Sequence, residues 1–531
     1  MPLKMIFSKL YNMKPSNKSP LLLLFCLLIL GISFGQNTSP SYSLPRSTPA
    51  AEGVAPQAIA SFLEAANKSK HEFHSIMVLR HGKVIAEAWW APYSAELRHT
   101  MYSCSKSFTA TAVGFAVSEG KIALDDKVIS FFPEYAPKEV SPYLAELTIR
   151  HLLTMTDGMD PDPSFTLAVT DDNWIKGFFN TPIVKAPGTV FLYNSLGTYM
   201  AGAIVQKVTG QSLVEYLKPR LFEPLGIEGM DWENDLLGYN VGGWGLRIKT
   251  EDMAKFAQLF LQKGVWNGKQ VLPAGWVEEA SSKKILQQPD LSDDARSKND
   301  WAQGYCYQMW RSRHNSYRGD GAYGQLIMVL PEQDAVIAVT AETDDMQGEM
   351  NLIWDYLLPG FQNAALPASQ ADDATLRQQI NALQLPKMRG KATSPVAKSI
   401  QGKSYKLQPN DLQLESLKFD FDKNEVELNM AGSEGLFSFD FGADHWEKGT
   451  TKRLGPYLAR VKGYYQGLPP AKVVGNYGWL DENTLQLKLR YIESPHSETF
   501  TCHFDGKNLR LDYEKSNDFG NKKLELAGVR K

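Results

Sequence analysis

From residue 403 to the end, the chain reads as short apolar runs at regular spacing, and no other feature constrains the fold as much. The runs are Leu417–Phe421, Val426–Asn429, Phe437–Phe441, Tyr457–Val461, Leu485–Arg490, Phe500–Phe504, Leu509–Asp512 and Lys523–Ala527. Eight short strands in succession make a small β-sandwich or barrel. Trp446, Tyr464, Tyr465, Tyr477 and Trp479 in this part could form a sugar- or peptide-binding face, but such aromatics are more often core or scattered surface residues, and that is the expectation here. Residues 364–402 carry Ala, Gln, Asp, Lys and Pro, with no apolar periodicity beyond one short helix, and read as a linker. Upstream the pattern is mixed. A helix is expected near Pro56–Lys68. Ser75–Arg80 and Lys83–Trp90 form a strand pair, turned by His81–Gly82. Helices and loops run to about Gly242. Apolar runs return at Gly304–Trp310, Gly324–Leu330 and Ala335–Thr340, and Met350–Leu358 resembles a closing helix. Strands at both ends with helices between predict one mixed domain, 36–363, whose ends meet in one sheet.

The first 35 residues stand apart. Lys4, Lys9, Lys14 and Lys18 precede an apolar run from Leu21 to Phe34, and no acid comes before Gln36. That order reads as a secretory signal, cleaved near Gly35–Gln36, which sends the protein to the periplasm or outside the cell. The alternative is a membrane anchor, but the run is short of the ~20 residues that span a bilayer. The whole chain carries 56 Lys+Arg against 59 Asp+Glu, a net charge of −3. With no basic excess, nucleic acid is not an expected partner. Membrane contact is expected only through an uncleaved signal. Four cysteines, at 26, 104, 306 and 502, form neither a disulfide framework nor a metal knuckle.

Three stretches carry chemistry. In Tyr102-Ser103-Cys104-Ser105-Lys106, Ser103 and Lys106 lie one helical turn apart on one face. The run Ala110–Val117 is apolar on nearly all sides, so the helix is buried. Burial and the positive helix end both disfavour a charged lysine, which suits Lys106 as a base and Ser103 as a nucleophile. A capping serine beside a snorkelling lysine remains the plain alternative. In Phe191-Leu192-Tyr193-Asn194-Ser195, alternation puts Tyr193 and Ser195 on one side, and a phenol near a lysine can move protons. In Arg318-Gly319-Asp320-Gly321-Ala322-Tyr323-Gly324-Gln325, glycines at the edge of a core strand permit close ligand approach and backbone oxyanion contacts. His151 and His314 are the alternatives for a Ser–His base, but no G-x-S-x-G elbow is present.

Together these motifs resemble the serine hydrolase family of class C β-lactamases, their esterase relatives and DD-peptidases, over about Pro45 to Leu358. Leu147–Gly158 matches the family's "LLTHTSG" stretch, and Gly242–Leu246 with Glu251–Phe256 matches "GGxGL…DxAKF". The resemblance implies an α/β fold: an α+β sandwich with an antiparallel sheet flanked by helices, a helical insertion from about 120 to 240, and a separate β domain over 403–531. It implies Ser103 as acyl acceptor, Lys106 as base and Tyr193 as proton shuttle. Ser103 and Ala322, beside Gly321, would donate to the oxyanion. No metal or cofactor is implied, and the substrate is a small ester or amide. Ser195 stands where the family usually has Asn, and would face the substrate. No Lys lies between His314 and Gln325, so Arg318 is the candidate for holding a substrate carboxylate. The competing readings are a silent penicillin-binding-like sensor and a D-alanyl peptidase or β-lactamase.

Overall fold

The structure is a computed structural model and describes residues 43–458, 467–518 and 523–530. The segment expected as a secretory signal, Tyr464 and Tyr465 therefore lie outside the described residues. Among the described residues no helix is long and apolar enough to cross a membrane.

The strand pair forms as its alternating pattern dictates. β1 (Glu72–Arg80) and β2 (Lys83–Trp89) are joined through His81 and Gly82, both with positive φ, the backbone a two-residue hairpin turn needs. Four more strands come from the other end of the mixed region: β3 (Trp310–Arg311), β4 (Tyr317–Gly321), β5 (Gln325–Leu330) and β6 (Ala335–Glu342). The antiparallel order is β2-β1-β6-β5-β4-β3, with Ile76 opposite Val339. The two ends of the region thus meet in one sheet, as expected. The central strands read as continuous apolar runs because both faces are covered. On one face Ile76, Val78, Leu326, Met328, Ile337 and Val339 pack against α1 (Pro56–Lys68) and the closing helical segment through Ile353 and Leu357. On the other, Met77, Leu79, Ile327, Val329 and Val336 join the cluster of α2 (Ser105–Ser118), α3 (Ser195–Thr209) and α4 (Thr250–Leu261).

The C-terminal strands close into a barrel, which decides between the two architectures expected. They are β7 (Lys403–Leu407), β8 (Leu414–Asp422), β9 (Glu425–Gly432), β10 (Gly435–Gly442), β11 (Glu447–Thr451), β12 (Ala471–Trp479), β13 (Thr484–Tyr491), β14 (Ser497–Asp505), β15 (Asn508–Lys515) and β16 (Leu524–Arg530). Neighbours follow the order β10-β9-β8-β7-β16-β15-β14-β13-β12-β11, and a parallel contact of Gly442 with Asn476 closes nine of them into a ring. The expected strand at Tyr457–Val461 is not seen at Tyr457 and Leu458; 459–461 lie outside the described residues. The strands β11 and β12 flank that stretch instead. Tyr477 and Trp479 are buried in the barrel core, so they make no ligand face.

The barrel is not set apart. Leu44–Lys531 is one compact unit, and the barrel residues Val474 and Ile492 lie in the cluster that covers the sheet. The stretch expected as a linker carries a helix, Gln370–Asn381. Leu376 in that helix and Leu383 and Leu385 beyond it are buried in the same cluster. Charged pairs cross the seam: both guanidinium nitrogens Nη1 and Nη2 of buried Arg490 donate to Glu72, at 2.6 and 2.8 Å.

Candidate active site

The chain enters α2 through Tyr102, whose φ is +45°, a left-handed value costly for a side chain of this size. Ser103 and Cys104 complete a tight first turn, and the α-helix runs from Ser105. One turn later the Lys106 side chain is buried, with 1% of its surface exposed. Its Nζ donates to Ser195 Oγ at 3.0 Å and to the Gly243 carbonyl at 2.5 Å, and lies 5.2 Å from the Tyr193 ring centre. Burial pulls its pKa down to about 7, against partial opposition from Asp162 and Cys104. Burial raises the pKa of the Tyr193 phenol, partly offset by the Ser103 side chain beside it.

Each partner is held by local structure. Asn194 caps α3, its Oδ1 accepting from the N–H groups of Leu196 and Gly197, which fixes Tyr193 and Ser195 on either side. The Ser195 N–H donates to Asp162 Oδ2 at 3.0 Å. The Gly242–Leu246 segment is tied to α2 by Thr109 Oγ1 donating to Gly242 O and Leu246 N donating to Ser105 Oγ. Gly243 has to be glycine, since a Cβ there would lie 2.6 Å from Ser195 O. At Gly321 a Cβ would lie 2.3 Å from Met101 O, so its absence lets the Gly321–Ala322 turn close on the backbone leading to Ser103.

Aromatic rings wall one side. Tyr193 stacks on Trp310 at 5.8 Å between ring centres, and Phe191 and Tyr305 pack edge-on or tilted against that indole. Ile285 joins the same cluster, which brings the polar 281–300 stretch to the rim. On another side Trp244 stacks with exposed Phe165 at 6.4 Å.

The structure thus brings Ser103, Lys106, Tyr193 and Ser195 together. Ser195 is buried against Lys106 rather than presented to a ligand. Arg318 departs from expectation. It is fully buried, with Nε donating to Asp320 Oδ2 at 2.7 Å, Nη1 to the Asp300 carbonyl and Ser312 Oγ, and the guanidinium over the Trp301 ring. Strand alternation puts Arg318 and Asp320 on the same side of β4, and their mutual neutralisation leaves no charge to offer a substrate. Cys104 is fully buried and donates to Gln325 O. His151 Nδ1 accepts from Thr148 N at the start of its own helix, and His314 is exposed beside Trp354. Neither histidine contributes a base. Sequence reasoning missed Asp162, Trp310 and the role of the Gly243 carbonyl; the Gly-Gly-Trp-Gly-Leu run was the available sign of the last. It also missed a barrel residue, His496, whose Nε2 lies 2.5 Å from the Tyr102 hydroxyl.

Residues 74–358 match the family described as Beta-lactamase. The chain is 26% identical over 290 residues to 6-aminohexanoate-dimer hydrolase of Paenarthrobacter ureafaciens, covering 51% of this chain and 73% of that protein. It is 30% identical over 148 residues to lovastatin esterase of Penicillium rubens, covering 24% of this chain and 37% of that one. Among solved structures it is similar to the octameric penicillin-binding protein homologue from Pyrococcus abyssi, with 17% identity, 88% and 99% coverage and a TM-score of 0.46.

Proposed function

The chain belongs to the beta-lactamase family and is a serine hydrolase, and from that premise we propose that it cleaves small, uncharged esters or amides through an acyl-enzyme on Ser103. Neutral Lys106 takes the Ser103 hydroxyl proton as Oγ bonds to the substrate carbonyl carbon. The tetrahedral oxygen is held by the N–H groups of Ser103 and Ala322. On collapse the bond to the leaving oxygen or nitrogen breaks, and the proton passes from Lys106 through the Tyr193 phenol to that atom. Water, deprotonated along the same path, then releases the acid. The observation that carries this reading is a lysine buried one helical turn after the candidate nucleophile, with Nζ 5.2 Å from the Tyr193 ring centre and a pKa drawn down to about 7. A base is most effective when its pKa lies near working pH.

Two features favour uncharged substrates. The wall around Tyr193 is aromatic, and Arg318 is buried against Asp320. A substrate carboxylate would find no counter-ion there, at about 1–3 kcal/mol for a buried group left unsatisfied. The named relatives, one a dimer hydrolase and one an esterase, agree with ester or amide cleavage. The test is a panel of short-chain p-nitrophenyl esters, a chromogenic cephalosporin and D-alanyl peptides. Ester turnover lost in Ser103→Ala is expected, with cephalosporin turnover weak; efficient cephalosporin hydrolysis with esters ignored would overturn the substrate class. We also propose export through the Lys4–Phe34 segment, tested by N-terminal sequencing of the mature protein for a start near Gln36.

A further inference from the structure

A buried barrel side chain, His496, reaches the residue that precedes the candidate nucleophile. His496 lies in the turn between β13 and β14 and has none of its surface exposed. Its Nδ1 is 2.6 Å from Glu342 Oε1, at the end of β6, and Ser516 Oγ donates to the same oxygen at 2.7 Å. A carboxylate only accepts, so Nδ1 carries a proton, and in the neutral imidazole Nε2 accepts from the Tyr102 hydroxyl. The imidazole also meets the Tyr323 ring edge to face, with centres 4.7 Å apart. A second barrel aromatic, Tyr457, lies 5.2 Å from the Tyr102 ring.

Tyr102 immediately precedes Ser103, and Tyr323 immediately follows Ala322. Both are left-handed without being glycine, at φ +45° and +66°. Such backbones persist only where their surroundings over-determine them, and they fix the direction of the neighbouring N–H groups. One imidazole therefore touches the residues that flank both oxyanion donors, which belong to segments more than 200 residues apart in sequence.

We propose that His496, braced by Glu342, is a positioning residue that holds Tyr102 and Tyr323 and thereby sets the spacing of the oxyanion hole. The barrel is then part of the active site rather than an appendage. This rests on the reading of Ser103 and Ala322 as the oxyanion donors.

The experiment uses the full chain and pre-steady-state release of p-nitrophenol from p-nitrophenyl acetate. His496→Ala and Tyr102→Phe are each expected to lower the acylation rate constant about 100-fold, the low end of losing one oxyanion donor. The apparent substrate dissociation constant should change less than about threefold, since the ground-state carbonyl uses the hole least. The double variant should be no more than about threefold worse than either single one, because the two residues act through one contact. His496→Gln, whose amide oxygen can accept from the Tyr102 hydroxyl, should recover about tenfold. Acylation by folded His496→Ala within threefold of wild type, a loss confined to binding, or additive losses would overturn the proposal. If His496→Ala does not fold, Tyr102→Phe, which keeps its ring, decides alone: unchanged acylation overturns the proposal. Ser103→Ala run in parallel separates the failures. Acylation that needs Ser103 but not His496 removes only the positioning role, whereas acylation that survives Ser103→Ala removes both readings.

Discussion

Lys106 and Arg490 are both buried cations of the same serine hydrolase, one in α2 and one in the barrel strand β13. Lys106 meets a hydroxyl and a carbonyl, and burial lowers its pKa to about 7. Arg490 meets Glu72 through two hydrogen bonds, and although burial acts against its charge, the carboxylate more than compensates and holds its pKa above the usual arginine value. Glu72 is held well below the usual carboxylate range: burial would raise it, but the charge of Arg490 outweighs that. Burial alone does not make a charge structural or reactive. The presence of a matched counter-ion decides it. The catalytic cleft leaves its cation unmatched; the seam with the barrel matches each of the pairs described.

The comparison breaks first at the unmatched cation. Lys106→Met keeps the volume and removes the proposed base, and kcat/KM for p-nitrophenyl esters should fall about 10³-fold with the fold retained by circular dichroism. Turnover near wild type would take Lys106 out of the mechanism.

The matched cation should behave in the opposite way. Arg490→Met leaves Glu72 without its partner and should cost about 3 kcal/mol in urea unfolding, the low end for a broken buried pair. The low end applies because the Glu72 side chain is 26% exposed. Adding Glu72→Gln should restore much of the loss, and a fully additive double variant would show that the pair is not coupled.

Acid should separate the two regions. On the proposed mechanism acylation needs neutral Lys106, so its rate should fall about tenfold per pH unit below about 7. The seam carboxylates, Glu72 on Arg490 and the barrel's Glu493 on Arg98 at 3.2 Å, have lowered folded pKa values. Their contribution is present above the unfolded value, about 4.3 for Glu, and is lost as pH falls below it. Activity should therefore be lost between pH 7 and 5 with near-UV circular dichroism unchanged. Coincident loss of both would contradict the distinction.

The smallest effect is expected at Ser195→Ala. It removes one of the two oxygens that accept from Lys106 Nζ, worth about 0.5–1.5 kcal/mol, so acylation should change by roughly two- to tenfold.

What could be read from sequence followed the range of the interactions involved. Ser103 and Lys106 were legible because helical periodicity alone places them on one face, and the meeting of β1 with β6 because both are two-faced apolar runs. Arg318 was not, because its direction depends on how the glycine-rich strand is registered beside Ser312 and Asp320. Barrel closure pairs Gly442 with Asn476, whose side-chain amide also donates to the Gly442 and His445 carbonyls, and no local pattern marks that pairing. His496 meets Tyr102 across 394 residues, and a lone histidine in a polar turn gives no sign of that destination.

The central claim is that an unmatched buried lysine activates Ser103. The direct test is the pH dependence of Ser103 labelling by a fluorophosphonate, followed by intact mass and peptide mapping. A single label on Ser103, at a rate rising with an apparent pKa near 7 and lost in Lys106→Met, is the predicted result. Labelling at another residue, or a rate still rising toward the ordinary lysine pKa near 10.4, would contradict it.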